Sequence, residues 1–166
     1  MSDNGGLSTS EGHPTSNLPL RAGKGWMYEG GIREPMIVRA PGFTRPGSRS
    51  DQPVISTDFY PTILELAGLP PQPDRHLDGT SFVPALKGDQ LPERPLFWHY
   101  PHYGNQGGTP SGAVRLGQWK LIEWYEQGNL ELFNLATDIG EQNDLAQRYP
   151  EPVSYTHLTL PTICSV

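Results

Sequence analysis

Cysteine is almost missing from this chain of 166 residues; the only one is Cys164. Neither a disulfide framework nor a thiolate site can be argued from a single cysteine. Long apolar runs are missing as well, so no membrane-spanning segment and no signal peptide can be read. A basic surplus is also lacking. The formal net charge is -6 and the pI about 5.3, and without a basic stripe nucleic acid drops out as a partner. Apolar residues make up only 35% of the chain, whereas glycine (19) and proline (18) are abundant. Such a composition argues against a helical bundle or coiled coil, and for short elements joined by irregular segments.

The last residues share none of the character of the rest. Val153 to Thr162 can be written in codons as GTC TCT TAT ACA CAT CTG ACG CTG CCG ACG, which resembles a sequencing-library adapter read through in frame. We therefore expect residues 153–166 to be non-native read-through and exclude them from fold reasoning. The alternative is a native β-prone tail.

The remainder falls into two blocks, 1–89 and 90–152. In the first, Met36–Gly42 (MIVRAPG) is a short apolar run ending in Pro-Gly and reads as a buried strand entering a turn. STDFYPTILELAGLP reads as a helix, with Thr57 or Asp58 at its start and Gly68 then Pro70 at its end. Tyr60, Ile63, Leu64 and Ala67 fall on one face at helical spacing and are expected in the core. A shorter helix is predicted from Ser81 to Lys87, stopped by Gly88. The second block is β-prone. PLFWHY is aromatic, and AVRL, WKLIEWY and LELFNL, separated by turn residues, predict a three-stranded antiparallel meander. Alternation sets Trp119, Leu121 and Tyr125 on one side and Ile122 and Trp124 on the other. A short polar helix is expected around Glu141–Arg148. The expected fold class is α/β for the first block with a small antiparallel α+β subdomain after it.

Chemistry concentrates in the first 35 residues. Asp3 and Asn4 offer hard oxygens in a glycine-rich setting, which suits Ca2+ or Mg2+ rather than zinc. Asp-Asn-Gly-Gly is equally good turn chemistry. Two side chains cannot fill a Ca2+ sphere of about six to eight oxygens. Lys24 stands between Gly23 and Gly25, where the backbone can approach a ligand and a compact positive charge can meet an anion. A solvated surface lysine is the plain alternative. The P-loop spacing is absent. Glu29 and Arg33 bracket Gly30 and Gly31 and could pair to brace the loop. His13 lies between the acidic pair and Lys24, while His99 and His102 sit in an aromatic, glycine-rich stretch suited to a sugar ring. His99 also reads as a packed strand residue, and His102 and His76 as ordinary loop residues.

Five ordered segments, SDNGG, LPLRAGKGWMYEGGIREPMIVRAPG, STDFYPTILELAG, LDGTSFVPALKG and LELFNLATDIGEQNDLA, resemble the C-terminal portion of a type I sulfatase of the arylsulfatase class, in the alkaline-phosphatase-like superfamily. The resemblance runs from Ser2 to about Pro150. It implies hydrolysis of sulfate monoesters, on a sulfated small molecule or carbohydrate. It implies that Asp3 and Asn4 ligate Ca2+, in preference to Mg2+, and that Lys24 is catalytic, contacting the sulfate and stabilising charge on the leaving oxygen. His13 and His102 become candidate substrate contacts. The family's nucleophile, a formylglycine made from Cys or Ser in C/S-x-P-x-R, lies upstream of the Asp-Asn pair, and no such motif occurs in this sequence. The chain by itself is therefore expected to be inactive and the intact protein to be the enzyme, with a periplasmic or secreted location. Two alternatives stay open: a phosphate ester or phosphonate hydrolase of the same superfamily, and a non-enzymatic carbohydrate-binding module formed by the second block.

Overall fold

A computed structural model describes residues 1–9, 12 and 14–151. His13 and the read-through expected from Val153 onward lie outside the described residues. By compactness the chain forms two units: Met1–Met36 together with the residues from Arg94 onward, and Ile37–Glu93.

The second of these units is held by α2 (Phe59–Leu66) and α3 (Val83–Lys87). A 3-10 turn at Ser56–Asp58 leads into α2. The buried Asp58 fixes that entry by accepting the Ile55 N–H (2.9 Å) on one carboxylate oxygen and the Thr80 N–H (2.9 Å) on the other. One turn on, the Thr62 hydroxyl donates to the Asp58 carbonyl (2.6 Å) and accepts the Phe82 N–H (3.0 Å). These bonds turn the Asp58–Thr62 side of the helix inward. Pro61, Thr62 and Leu64 are buried, whereas Tyr60 and Ile63 are exposed. The apolar spacing therefore located the helix but chose the wrong face, and only Leu64 of the expected core residues is buried. Gly68 (φ 67°) and Gly88 (φ 98°) end the two helices in the left-handed conformation that glycine adopts without a Cβ penalty.

Met36–Gly42 forms no strand, and Ile37 is 92% exposed. Among the described residues no strand pairs with it, and an apolar run without a pairing partner gains no ladder hydrogen bonds.

The other unit carries the sheet: β1 (Leu96–Tyr100), β2 (Ser111–Leu116), β3 (Trp119–Trp124) and β4 (Asn129–Asn134) in the order β1-β2-β3-β4, all antiparallel. The expected meander is present with one strand more, because the aromatic LFWHY run pairs with β2. Register places Val114 against Leu121 and Leu121 against Leu132. These three fully buried residues form one core, covered by Leu145 and Ala146. Ala113, Ile122 and Phe133 point the other way and build a second core with Met27, Tyr28, Trp124 and Leu135. The alternation expected along β3 is thus observed, and both faces of the sheet are covered. Residues 141–148 make turns rather than the expected helix. Asp138 accepts the N–H groups of Gln142 (2.9 Å) and Asn143 (2.8 Å), and Asp144 those of Leu132 (3.0 Å) and Ala146 (2.9 Å). Such local side-chain acceptors compete with helical bonding.

No helix among the described residues is long and apolar enough to cross a membrane.

Candidate functional site

Glycine decides how the N-terminal segment is held. The Gly5 N–H donates to the Gly31 carbonyl (3.2 Å), and the Lys24 N–H to the Gly6 carbonyl (3.2 Å). A Cβ on Gly5 would stand 2.1 Å from the Gly30 carbonyl oxygen, and one on Gly23 would stand 2.3 Å from that of Gly6. One on Gly31 would stand 2.1 Å from that of Trp26. Backbone therefore stacks on backbone at a distance that only glycine allows. Asn17 ties the stack together, its side-chain amide donating to the carbonyls of Gly6 (2.8 Å) and Ala22 (2.9 Å). Segments remote in sequence, the Asp3–Asn4 pair and the Lys24 loop, are thereby brought onto one support.

Within this arrangement Asp3 is exposed and Asn4 half-buried, and the Asn4 amide donates to Asp3 Oδ2 (2.7 Å). Beside them, Glu34 Oε1 is buried with no hydrogen-bond partner among the described residues. Burial pushes the Glu34 carboxyl above its ordinary range, and the charge of Asp3 adds to that push. The donors are carboxylate and amide oxygens, a set whose chemistry fits Ca2+. Among the described residues no group of three His, Cys, Asp or Glu side chains is placed to hold a metal, so a full sphere of about six to eight oxygens needs donors from outside this set.

Lys24 is half-buried. Its loop is backed by the connection between β1 and β2: the Trp26 indole N–H and the Thr9 hydroxyl both donate to the Gln106 carbonyl, each at 3.0 Å. Gly108 packs so tightly that a Cβ there would lie 1.8 Å from the Gly25 carbonyl oxygen. His102 is on this same connection, exposed, with its ring edge-on to Tyr100 at 5.4 Å. The ring of His99 on β1 meets the Tyr125 hydroxyl at 2.7 Å, and His76 accepts the Gln72 N–H at 3.2 Å. Both act locally.

Sequence reasoning missed the ionic centre beneath the loop. Lys120, 0% exposed on β3, bridges Glu29 (2.9 Å) and Glu141 (2.8 Å), each of them buried as well. Arg33 and Arg115 approach Glu29 Oε2 at 3.5 and 3.8 Å, so the expected Glu29–Arg33 pairing is present as the rim of a larger cluster. Burial pushes the Glu141 carboxyl up, against the pull of Lys120 and of the Glu29 N–H that it accepts. One signal could have exposed the cluster, since Lys120 is in phase with Ile122 and Trp124 on the face already assigned as apolar.

Tyr28 closes the aromatic side of this layer. Its hydroxyl donates to Glu131 (2.8 Å), the Arg21 guanidinium lies 3.8 Å from its ring centre, and the ring packs on Trp124 and Phe133. Burial first, and the bond to Glu131 second, hold its phenol well above the ordinary value of 10.0. A raised folded value makes the unfolded chain lose its proton first, so this contribution is whole below about pH 10 and falls away as pH climbs beyond it. The urea midpoint is expected to drop as pH rises above about 10 and to drop less steeply in Tyr28→Phe; equal slopes would remove Tyr28 as the source.

The family model for N-sulphoglucosamine sulphohydrolase, C-terminal, matches residues 22–157. A sulfatase of Formosa agariphila is 38% identical over 160 residues, covering 90% of this chain and 28% of that protein. The N-acetylgalactosamine-6-sulfatase of Canis lupus familiaris is 38% identical over 138 residues, covering 82% and 25%. The crystal structure of Ps i-CgsB superposes with a TM-score of 0.79 at 32% identity over 96% of this chain and 34% of that one. The same protein in complex with k-i-k-neocarrahexaose gives 0.78. The chain thus spans about a quarter to a third of each of these proteins.

Proposed function

The chain belongs to the sulfatase family, matching its C-terminal region, and from that premise we propose that it is the C-terminal part of an enzyme that hydrolyses sulfate monoesters of carbohydrates. The observation that carries the reading is the glycine stack, which sets Asp3–Asn4 and the Lys24 loop on one support. A bare turn and a stray surface lysine would not require five glycines packed backbone to backbone.

In this reading residues 1–89 complete an alkaline-phosphatase-like catalytic domain and 90–152 form the small antiparallel subdomain after it. Asp3 and Asn4 would hold Ca2+, and a bound Ca2+ would supply positive charge to the sulfate oxygens. Lys24 meets the charge that develops on the leaving oxygen, and the glycines beside it let the substrate come close to the backbone. Preorganised charge of this kind is an expected source of rate acceleration. His102, and His13 outside the described residues, would touch the sugar. A formylglycine in the upstream part of the longer protein would supply the nucleophile. A carbohydrate substrate is supported by the neighbour solved with k-i-k-neocarrahexaose bound. The second block is a poor candidate for a self-standing binding module, because Met27 and Tyr28 of the N-terminal segment are part of its core.

The test is sulfate release from sulfated oligosaccharides by the longer protein and, separately, by residues 1–152 alone. Release by the longer protein, abolished by chelation and restored by Ca2+, with none from the fragment, is expected. Turnover of phosphate esters in preference to sulfate esters would shift the reading to the phosphohydrolase alternative. Activity of the fragment would overturn the upstream nucleophile.

A further inference from the structure

A lysine with no exposed surface, clamped by two buried carboxylates, is not an economical way to stabilise a sheet. Well-packed apolar residues of the same volume usually serve as well or better, because charges lose their hydration on burial. What an ionic cluster adds is direction, and its bonds lead from the sheet to the candidate site. Glu29, which opens α1 (Glu29–Ile32), takes Lys120 on its side chain and gives its N–H to Glu141 Oε2 at 2.6 Å. The carbonyl of Glu141 accepts Arg21 Nη1 at 2.7 Å. Gly30 then donates to the Arg21 carbonyl at 2.9 Å, and the next residue, Gly31, receives the Gly5 N–H. Arg21 lies three residues before Lys24, and Gly5 follows Asn4 directly.

Backbone strain marks the same path. Among the described residues only two that are not glycine have positive φ, Ala22 (58°) and Glu141 (50°), and both belong to it. A Cβ on Gly30 would sit 2.5 Å from the Ala22 carbonyl oxygen, and the Glu141 side chain is the second clamp on Lys120. Left-handed backbone at such residues is costly and persists where the surroundings over-determine it, typically at functional sites.

We infer that Lys120 is a positioning residue: with Glu29 and Glu141 it latches the Arg21–Lys24 segment and the Gly5–Gly31 contact to the sheet, and so sets where Lys24 and the Asp3–Asn4 pair stand. For catalysis the inference rests on the sulfatase reading; as a statement about this chain it does not. The charged centre is the device by which the small subdomain serves the site, without any of its three residues touching substrate.

Amide hydrogen exchange on the full chain, wild type against Lys120→Met, decides it. The latch predicts exchange at least about tenfold faster at Gly5, Lys24, Gly30 and Gly31, with strand amides such as Val114 and Leu121 changed by less than about threefold. Uniform acceleration would mean that Lys120 serves only global stability, and no change at the four amides would equally overturn the latch. Should Lys120→Met fail to fold, Glu141→Gln keeps the oxygen that accepts the Glu29 N–H and must give the same pattern with smaller amplitude. In the longer protein both variants are expected to lower kcat per folded molecule while leaving KM within about twofold. Unchanged kcat overturns the positioning role. An inactive wild type would instead sink the sulfatase reading, and the exchange result would still decide the latch.

Discussion

Lys24→Ala in the longer protein is expected to lower kcat for a sulfated oligosaccharide by about 10²–10³-fold, the loss typical when one preorganised donor is removed from developing charge. The argument runs from the loop. It is held at two points, by the Lys24 backbone N–H to the Gly6 carbonyl and by the Trp26 side-chain indole N–H to the Gln106 carbonyl. The ammonium group is therefore carried on a loop held at two points, and a held charge is expected to act without a large cost of reorganisation. Lys24→Arg is expected to restore little, because a planar fork on a longer stem does not take the place of a compact point charge. KM should move far less than kcat, since the interaction strengthens as charge builds. Steady-state rates of sulfate release give both constants. A loss smaller than about tenfold would assign charge stabilisation to another group.

Gly31→Ala is the second large effect, and it is a loss of stability. The new Cβ would lie 2.1 Å from the Trp26 carbonyl oxygen and 2.6 Å from that of Gly23. Both are backbone atoms, with no flexible side chain to swing away, so the loop that carries Lys24 must move. The expected cost is about 3 kcal/mol or more, at the upper end of overpacking. Gly42→Ala is the control. Gly42 has φ 88° and nothing within 4 Å of its Cβ position, so it meets only the left-handed backbone cost of about 1–2 kcal/mol. Urea denaturation of the two variants compares them directly. Equal losses would show that the glycine stack has slack. A Gly31 variant that folds yet exchanges its Gly5 amide freely would show that the stack had opened while the sheet held.

Family membership was legible in the sequence because it rests on ordered local motifs: SDNGG, GKG with YEGG, and the helix after STD. So were the alternation along β3 and the existence of α2, each a matter of period within a few residues. Asp3, Asn4 and Lys24 were picked out as candidates on the same motifs. Glycines mark a place where backbones approach, whatever they approach. What the spacing could not supply was the partner. Gly5 needed Gly31, and Gly23 needed Gly6, before their missing side chains had a meaning.

Elsewhere tertiary contacts overruled local pattern. The inward face of α2 was set by Asp58 and Thr62 bonding to the backbone at Thr80 and Phe82, against the apolar count of Tyr60 and Ile63. MIVRAPG had the composition of a strand and, among the described residues, no strand to pair with. The segment from Glu141 was turned away from a helix by the carboxylates of Asp138 and Asp144. Lys120 is the sharpest case. By its own chemistry it belongs in water, and only the convergence of Glu29 and Glu141, 91 residues before it and 21 after it in the chain, makes its burial tolerable. Composition, period and motif act over a few residues and can be read from a single sequence. Pairing of charges, of backbones and of strand edges depends on which distant segment arrives, and in this protein that arrival settled the support beneath the candidate site.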